Sequence, residues 1–171
     1  MRVHIIGLPS AGKTTLARGL ATSYGVPHHD LDALAFTDER WTLRPSNERD
    51  TMLDRILGES DFVTEGGFVG WTEPLFAAAE YIIWLDPPMW TLVVRHIRRH
   101  ARHPRALPSL LRFQMLSYMR PPGRGPANDD RNQTRSGTEV ALRPWRHKVV
   151  RLRRPVAARE VIRAFGYPSL E

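Results

Sequence analysis

Residues Gly7-Leu8-Pro9-Ser10-Ala11-Gly12-Lys13-Thr14 match the pattern G-x-x-x-x-G-K-[ST]. No other feature constrains the fold as strongly. The loop needs a buried strand before it and a helix after it, and the sequence supplies both. Val3 to Gly7 is a short apolar run ending in glycine, a buried-strand signal. Lys13 to Tyr24 carries Leu16, Ala17, Leu20 and Ala21 at helical spacing and stops at Gly25-Val26-Pro27. The glycines let backbone N–H groups turn inward around phosphate oxygens. The helix points its positive N-terminus at the same oxygens. Lys13 reaches the β- and γ-phosphates, and the Thr14 hydroxyl ligates Mg²⁺. Gly7, Pro9, Ser10, Ala11, Gly12, Lys13, Thr14 and Thr15 are the candidate nucleotide-binding residues, with ATP and Mg²⁺ as cofactors. Lys13 is one of only two lysines in the chain, so its position in the motif is not a by-product of lysine abundance.

Strand and helix signals alternate along the rest of the chain. His28 to Asp30 reads as a short strand, Asn47 to Leu57 as a helix closed by Gly58, and Phe62 to Thr64 as a strand cut by Gly66-Gly67. Pro74 to Ala79 is a short helix, and Tyr81 to Leu85 the clearest buried strand. Met89 to Ala101 is an Arg-rich helix, Leu107 to Met119 another, Val149 to Leu152 the last strand and Val156 to Phe165 a closing helix. Such alternation predicts an α/β fold: a five-stranded parallel sheet covered on both faces, three layers in all. The stretch 37–47 is loop-like, and Pro121 to Ser136 is rich in Pro, Gly, Asn, Asp and Arg, a mobile-loop composition. The irregular region 102–146 is too long for a simple connection, so it is an insertion, a lid or a disordered arm. With 171 residues, the chain is read as one domain, 1–101 and 147–171 forming the core and about 102–146 a lid or insertion.

Charge is unevenly placed. Residues 89–154 hold 16 Lys and Arg against 3 Asp and Glu, while the rest of the chain is net acidic. A one-sided basic block points to phosphates, of a nucleotide or of a nucleic acid. The chain has no Cys, which excludes disulfides, thiolate metal sites and a Cys nucleophile. No run approaches the roughly 18 apolar residues of a membrane span, and Met1 leads straight into a strand rather than a secretory leader. The expectation is a cytoplasmic protein with no membrane partner.

Asp30-Leu31-Asp32 follows the second strand, where ligands of open parallel sheets bind. One carboxylate there can hold Mg²⁺, directly or through water, while the other faces an acceptor hydroxyl. The competing reading is an ordinary helix cap. Gly66 and Gly67 let a substrate approach the backbone, or simply end a strand. Asp86 before Pro87-Pro88 reads as a cap for the next helix.

With these residues in place, the chain resembles the adenylate kinase/shikimate kinase group of small P-loop kinases. The resemblance rests on the loop, the five strand–helix units and the Arg-rich region after the fourth strand. It implies a P-loop NTPase fold with an Arg-rich helical lid. It implies that Asp30 supports Mg²⁺ and that Asp32 orients or deprotonates the acceptor hydroxyl. Glu65 falls where the family has a metal-directed acid, usually Asp, so a water-mediated contact is implied. Arg44 and Arg49 flank the start of the second long helix, where related kinases grip the acceptor's carboxylate or phosphate; a solvated helix face is the other reading. Arg95 and Arg99 share a helix face at the base of the lid and are implied as catalytic cations with Lys13, Arg99 also touching nucleotide. Arg153, before the last helix, is implied on the nucleotide as well. Arg102, Arg105, Arg124, Arg131 and Arg135 are further lid candidates. Within the group, "HHDLDAL", "WTLRP", "IIWLDPP" and "VVRLRR" resemble the P-loop proteins labelled DNA topology modulation (FlaR-like) proteins.

Two functions are therefore in play. One is an ATP-dependent phosphotransferase acting on a small acceptor, a nucleotide or hydroxylated metabolite. The other is a nucleotide-dependent nucleic-acid-associated protein gripping backbone phosphates with 89–154, although no nucleic-acid-binding signature is present.

Overall fold

A computed structural model describes residues 1–38, 42–101, 107–121, 134–154 and 160–161. Five strands, β1 (Arg2–Gly7), β2 (His28–Asp30), β3 (Phe62–Gly66), β4 (Tyr81–Leu85) and β5 (Val149–Leu152), form one sheet in the order β2-β3-β1-β4-β5. Every pairing is parallel, with Ile6 opposite Gly66 on one side and Trp84 on the other. The α/β fold with a five-stranded parallel sheet is thus as the alternating pattern predicts.

Parallel strands need crossovers, and the helices provide them. These are α1 (Lys13–Tyr24), α2 (Leu31–Ala35), α3 (Ser46–Leu57), α4 (Glu73–Ala78), α5 (Met89–His100), α6 (Leu107–Met119) and α7 (Arg135–Leu142). On β1, Val3 and Ile5 pack with Leu16, Ala17 and Leu20 of α1, Leu92 of α5 and Val161. Ile6 points the other way, to Phe76 of α4 and Leu142 of α7. The sheet is therefore buried on both faces, the three-layer arrangement. A separate cluster of Leu31, Leu34, Leu53, Ile56, Phe62, Phe68 and Leu75 seats α2 and α3 at the β3 side.

Two helices have weak signals in the sequence. α2 is only five residues, begun by Asp30, whose Oδ1 accepts the Asp32 N–H at 2.9 Å. α7 contains Ser136, Gly137 and Thr138, poor helix formers. It is held by burial of Thr138 and Leu142 and by its cap, the Thr134 hydroxyl oxygen accepting the Gly137 N–H at 2.9 Å. Part of the region expected to be irregular is therefore helical. Trp41, Arg102, Arg105, Arg124, Arg131, most of the loop 121–136 and most of the helix expected over 156–165 lie outside the described residues. Among the described residues, no helix is long and apolar enough to cross a membrane.

Candidate functional site

The carboxyl ends of the strands open onto a cavity of about 1190 Å³. Its floor is the loop between β1 and α1. Gly12 sits at φ 101°, where a side chain would be strained. A Cβ at Gly7 would come within 2.5 Å of the Leu85 carbonyl oxygen on β4, so only glycine fits beside that strand. α1 begins without a side-chain cap and with no acidic residue in its first turn. Its free N–H groups and positive end face the cavity floor, the arrangement that binds anions. Gly7, Pro9, Ser10, Ala11, Gly12, Lys13, Thr14 and Thr15 all line the cavity.

Lys13 is enclosed, and burial pushes its pKa down, while the Glu65, Asp32 and Asp30 carboxylates pull it back up. A phosphate would supply negative charge that favours the ammonium form. The acids nearby are shifted upward. Burial raises the pKa of Asp32, with Lys13 opposing and Asp30 and Glu65 adding to the rise. Glu65 is also raised by burial, opposed by the hydrogen bond from Thr14 and by Lys13. Thr14 donates its hydroxyl to Glu65 Oε1 at 2.6 Å.

Among the described residues, no group of three His, Asp or Glu side chains is arranged to hold a metal by itself. The Thr14 hydroxyl and the Glu65 carboxylate are hard oxygen donors beside the phosphate loop. They suit Mg²⁺, which takes one or two protein oxygens and keeps waters and phosphate oxygens for the rest. Asp30 lines the cavity as well, but its Oδ1 is committed to the α2 cap.

The opposite end of the cavity is walled by α5, α6, the start of α7 and the end of β5. Arg95, His96, Arg99 and His100 come from α5, Leu110, Phe113, Leu116 and Ser117 from α6, with Arg120, Thr134, Leu152 and Arg154 completing it. Arg95 and Arg99 thus share the cavity face, as their spacing predicts. Arg95 also donates to the Ala11 carbonyl at 2.8 Å, so it braces the loop directly. The sequence carries no signal for the α6 residues or for Arg120 and Thr134, because their place depends on how α6 and α7 pack.

Several expected site residues sit elsewhere. Gly66 does not line the cavity; a Cβ there would come within 2.9 Å of Leu31 Cβ, so its small size serves the packing of α2 on β3. Gly67 does line it. Arg44 donates to the carbonyls of Leu34 and Phe36 and to Glu48, tying the loop before α3 to α2 rather than reaching the cavity. Arg49 is 8% exposed and stacks over Trp71 at 5.2 Å, outside the cavity lining. It is neither a solvated helix face nor a lining residue. Arg153 is exposed and off the lining, whereas its neighbour Arg154 is on it. Leu152, which ends β5, and Arg154 just beyond it line the cavity; Arg151 and Arg153 do not.

Asp86 does not cap α5, whose N-cap is Pro88 without a side-chain bond. It is buried and receives Arg135 through two hydrogen bonds, Nε at 2.6 Å and a terminal nitrogen at 2.9 Å. Arg151 of β5 joins it, its guanidinium lying 4.1 Å from the Trp84 ring. Arg135, a lid candidate by sequence, is thus an anchor. Trp84 is core, and Trp90 is 70% exposed. His29 pairs with Glu59 at 2.9 Å, a strand-end contact.

No family model and no curated protein matches the sequence. Solved structures do match. A shikimate kinase from Acinetobacter baumannii in complex with shikimate aligns over 95% of this chain and 89% of its own, at 15% identity and TM-score 0.52. An uncharacterised protein from Eubacterium ventriosum ATCC 27560 aligns over 95% and 94%, at 13% identity and TM-score 0.56. A gluconokinase from Sinorhizobium meliloti 1021 aligns over 85% and 95%, at 17% identity and TM-score 0.49. At these identities the likeness is one of fold: the chain has the α/β P-loop kinase fold.

Proposed function

We propose that this protein is a phosphotransferase that binds ATP with Mg²⁺ and moves the γ-phosphate to a hydroxyl of a small acceptor. One observation carries the reading. The phosphate loop with Lys13 and the Asp32 carboxylate line the same cavity, and burial raises the pKa of Asp32. A solvent-facing carboxylate beside this loop, with its proton affinity raised, is suited to act as a general base on a bound hydroxyl.

In this reading the triphosphate lies along the loop, its oxygens on the backbone N–H groups of Ser10 to Thr15 and on Lys13. Thr14 and Glu65 would hold Mg²⁺ and its waters, and the ion would supply charge neutralisation for the phosphates. The acceptor oxygen attacks the γ-phosphorus while the bond to the β,γ-bridging oxygen breaks. The acceptor proton passes to Asp32, and ADP leaves with the electron pair. Arg99 lines the same cavity and would balance charge on the transferring group. Asp30 has a supporting part, through the cap that orients Asp32. Residues 102–146 would serve as the lid of a single domain, since α6, Arg120 and Thr134 wall the nucleotide end. The shikimate kinase likeness and the sequence resemblance favour a small hydroxylated acceptor over a macromolecule.

An ATP-consumption screen over nucleoside monophosphates, sugars, hydroxy acids and aminoglycoside-like polyols tests this. At least one class should accelerate ATP loss with matching phosphorylation of the acceptor. ATP that is bound but never consumed in the presence of any class would defeat the proposal.

The nucleic-acid reading retains one supporting observation. Arg98, Arg112, Arg143, Arg146 and Arg153 are exposed and do not line the cavity. It also keeps the sequence resemblance to the DNA topology modulation proteins. Binding to duplex DNA at two salt concentrations separates the readings. Several phosphate contacts give a steep loss with salt. A kinase gives weak binding that ATP abolishes.

A further inference from the structure

Ser10 is the one described non-glycine residue with positive φ, at 63°. A serine there is strained and persists only if its surroundings hold it. The hold comes from α5, more than eighty residues away in sequence. His96 Nδ1 lies 3.0 Å from the Ser10 hydroxyl oxygen. The preceding residue, Arg95, holds the next loop carbonyl, that of Ala11. Two consecutive helix residues thus grip two consecutive loop residues.

His96 is built for this. It is 4% exposed, its ring lies 4.5 Å from that of His100 at a tilt of 43°, and its Nε2 is buried without a partner. A buried imidazole with one unsatisfied nitrogen is an unfavourable choice for mere packing. Leucine would fill the space better.

We propose that His96 is a positioning residue for the phosphate loop: through Ser10 it fixes the left-handed turn that aims the loop's N–H groups at a triphosphate. The inference rests on the nucleotide-binding reading and deepens it. It also ties the loop to the helix that carries Arg99, so the two walls of the cavity keep one geometry. The contact contributes to phosphate affinity, not to the base.

The test is a double-mutant cycle on affinity for ATP and for inorganic tripolyphosphate, measured by calorimetry. His96→Leu should weaken both about three- to tenfold, the scale of one net hydrogen bond. His96→Asn should recover most of the loss, since its amide replaces the Nδ1 side of the ring. Ser10→Gly takes the left-handed conformation without help. In that background His96→Leu should have almost no further effect. Equal losses for His96→Leu in the wild-type and Ser10→Gly backgrounds would overturn the proposal, as would a loss seen with ATP and absent with tripolyphosphate. If His96→Leu does not fold, the same cycle is run with His96→Asn and His96→Gln. Gln cannot reproduce the Nδ1 contact and should bind the more weakly; equal affinities overturn the proposal. Failure of the wild type to bind either triphosphate would overturn the nucleotide reading itself, a distinguishable result.

Discussion

The Thr14 hydroxyl donates to Glu65 Oε1 at 2.6 Å, joining the first turn of α1 to the end of β3. Two hard oxygens are thereby held together beside the phosphate loop. If they share a hydrated Mg²⁺, Glu65→Gln removes a charge that the ion's waters need, while leaving the hydrogen bond to Thr14. The Mg²⁺ concentration for half-maximal ATP turnover should rise several-fold, and metal-free ATP affinity should stay the same. A Mg²⁺ titration of both proteins checks this; superimposable curves remove Glu65 from the metal site.

Asp32 makes a double prediction. Asp32→Asn keeps shape but loses the base, so turnover should fall about 10²–10⁴-fold with ATP affinity little changed. The folded-state pKa of Asp32 lies above its unfolded value, chiefly by burial. The ionised form is therefore the disfavoured one in the fold, and stability falls as pH rises from about 4 through the folded value. Asp32→Asn should then raise the melting temperature at pH 7, and the gain should vanish near pH 3. A variant less stable than wild type at pH 7 would contradict the electrostatics, whatever its activity.

His4 points to a second pH effect, at the acid side. It is fully buried on β1, its Nδ1 lies 2.9 Å from the Thr64 hydroxyl oxygen, and burial with Lys13 nearby lowers its pKa to about 3. The unfolded chain takes up a proton below about 6.5, while the folded chain resists it. The neutral-His contribution is complete above that pH and is lost progressively toward pH 3. Between pH 7 and 5 the loss should be about 2 kcal/mol. Denaturant melts across this range test it, with His4→Gln flattening the dependence; an unchanged slope in the variant assigns acid sensitivity elsewhere.

The Asp86 cluster anchors α7 and the end of β5. Removing its carboxylate leaves two guanidinium groups without their shared partner. Asp86→Ala should cost roughly 3 kcal/mol, the low end for breaking a buried pair, because both arginines are partly exposed. Arg135→Leu and Arg151→Leu should be non-additive, since they share one acceptor. Chemical denaturation of the single and double variants reads both quantities. Additive effects would mean that the arginines act separately.

Much of this was legible in the sequence where the chemistry is local. A phosphate loop needs its strand, glycines, lysine and helix in one continuous stretch, so residues 3–24 revealed both fold and site. The apolar run Tyr81–Leu85 did the same for β4. Partners that come from other elements were not legible. Gly66 looked like a substrate contact because Leu31, which packs on it, belongs to α2. Arg44 looked free because the carbonyls it binds are made available only by the turn after α2. His96 was one histidine in an Arg-rich helix, with nothing local to connect it to Ser10.

The phosphate loop is the feature on which the rest depends, and Lys13 is its most specific residue. Calorimetric titration of Mg²⁺–ATP into wild type and Lys13→Ala reads its occupancy directly. Loss of one charge-assisted contact, about 1.5–3 kcal/mol, should weaken ATP about tenfold or more while the fold is kept. Equal affinity in the two proteins would mean that no triphosphate lies on this loop, and the kinase reading would go with it.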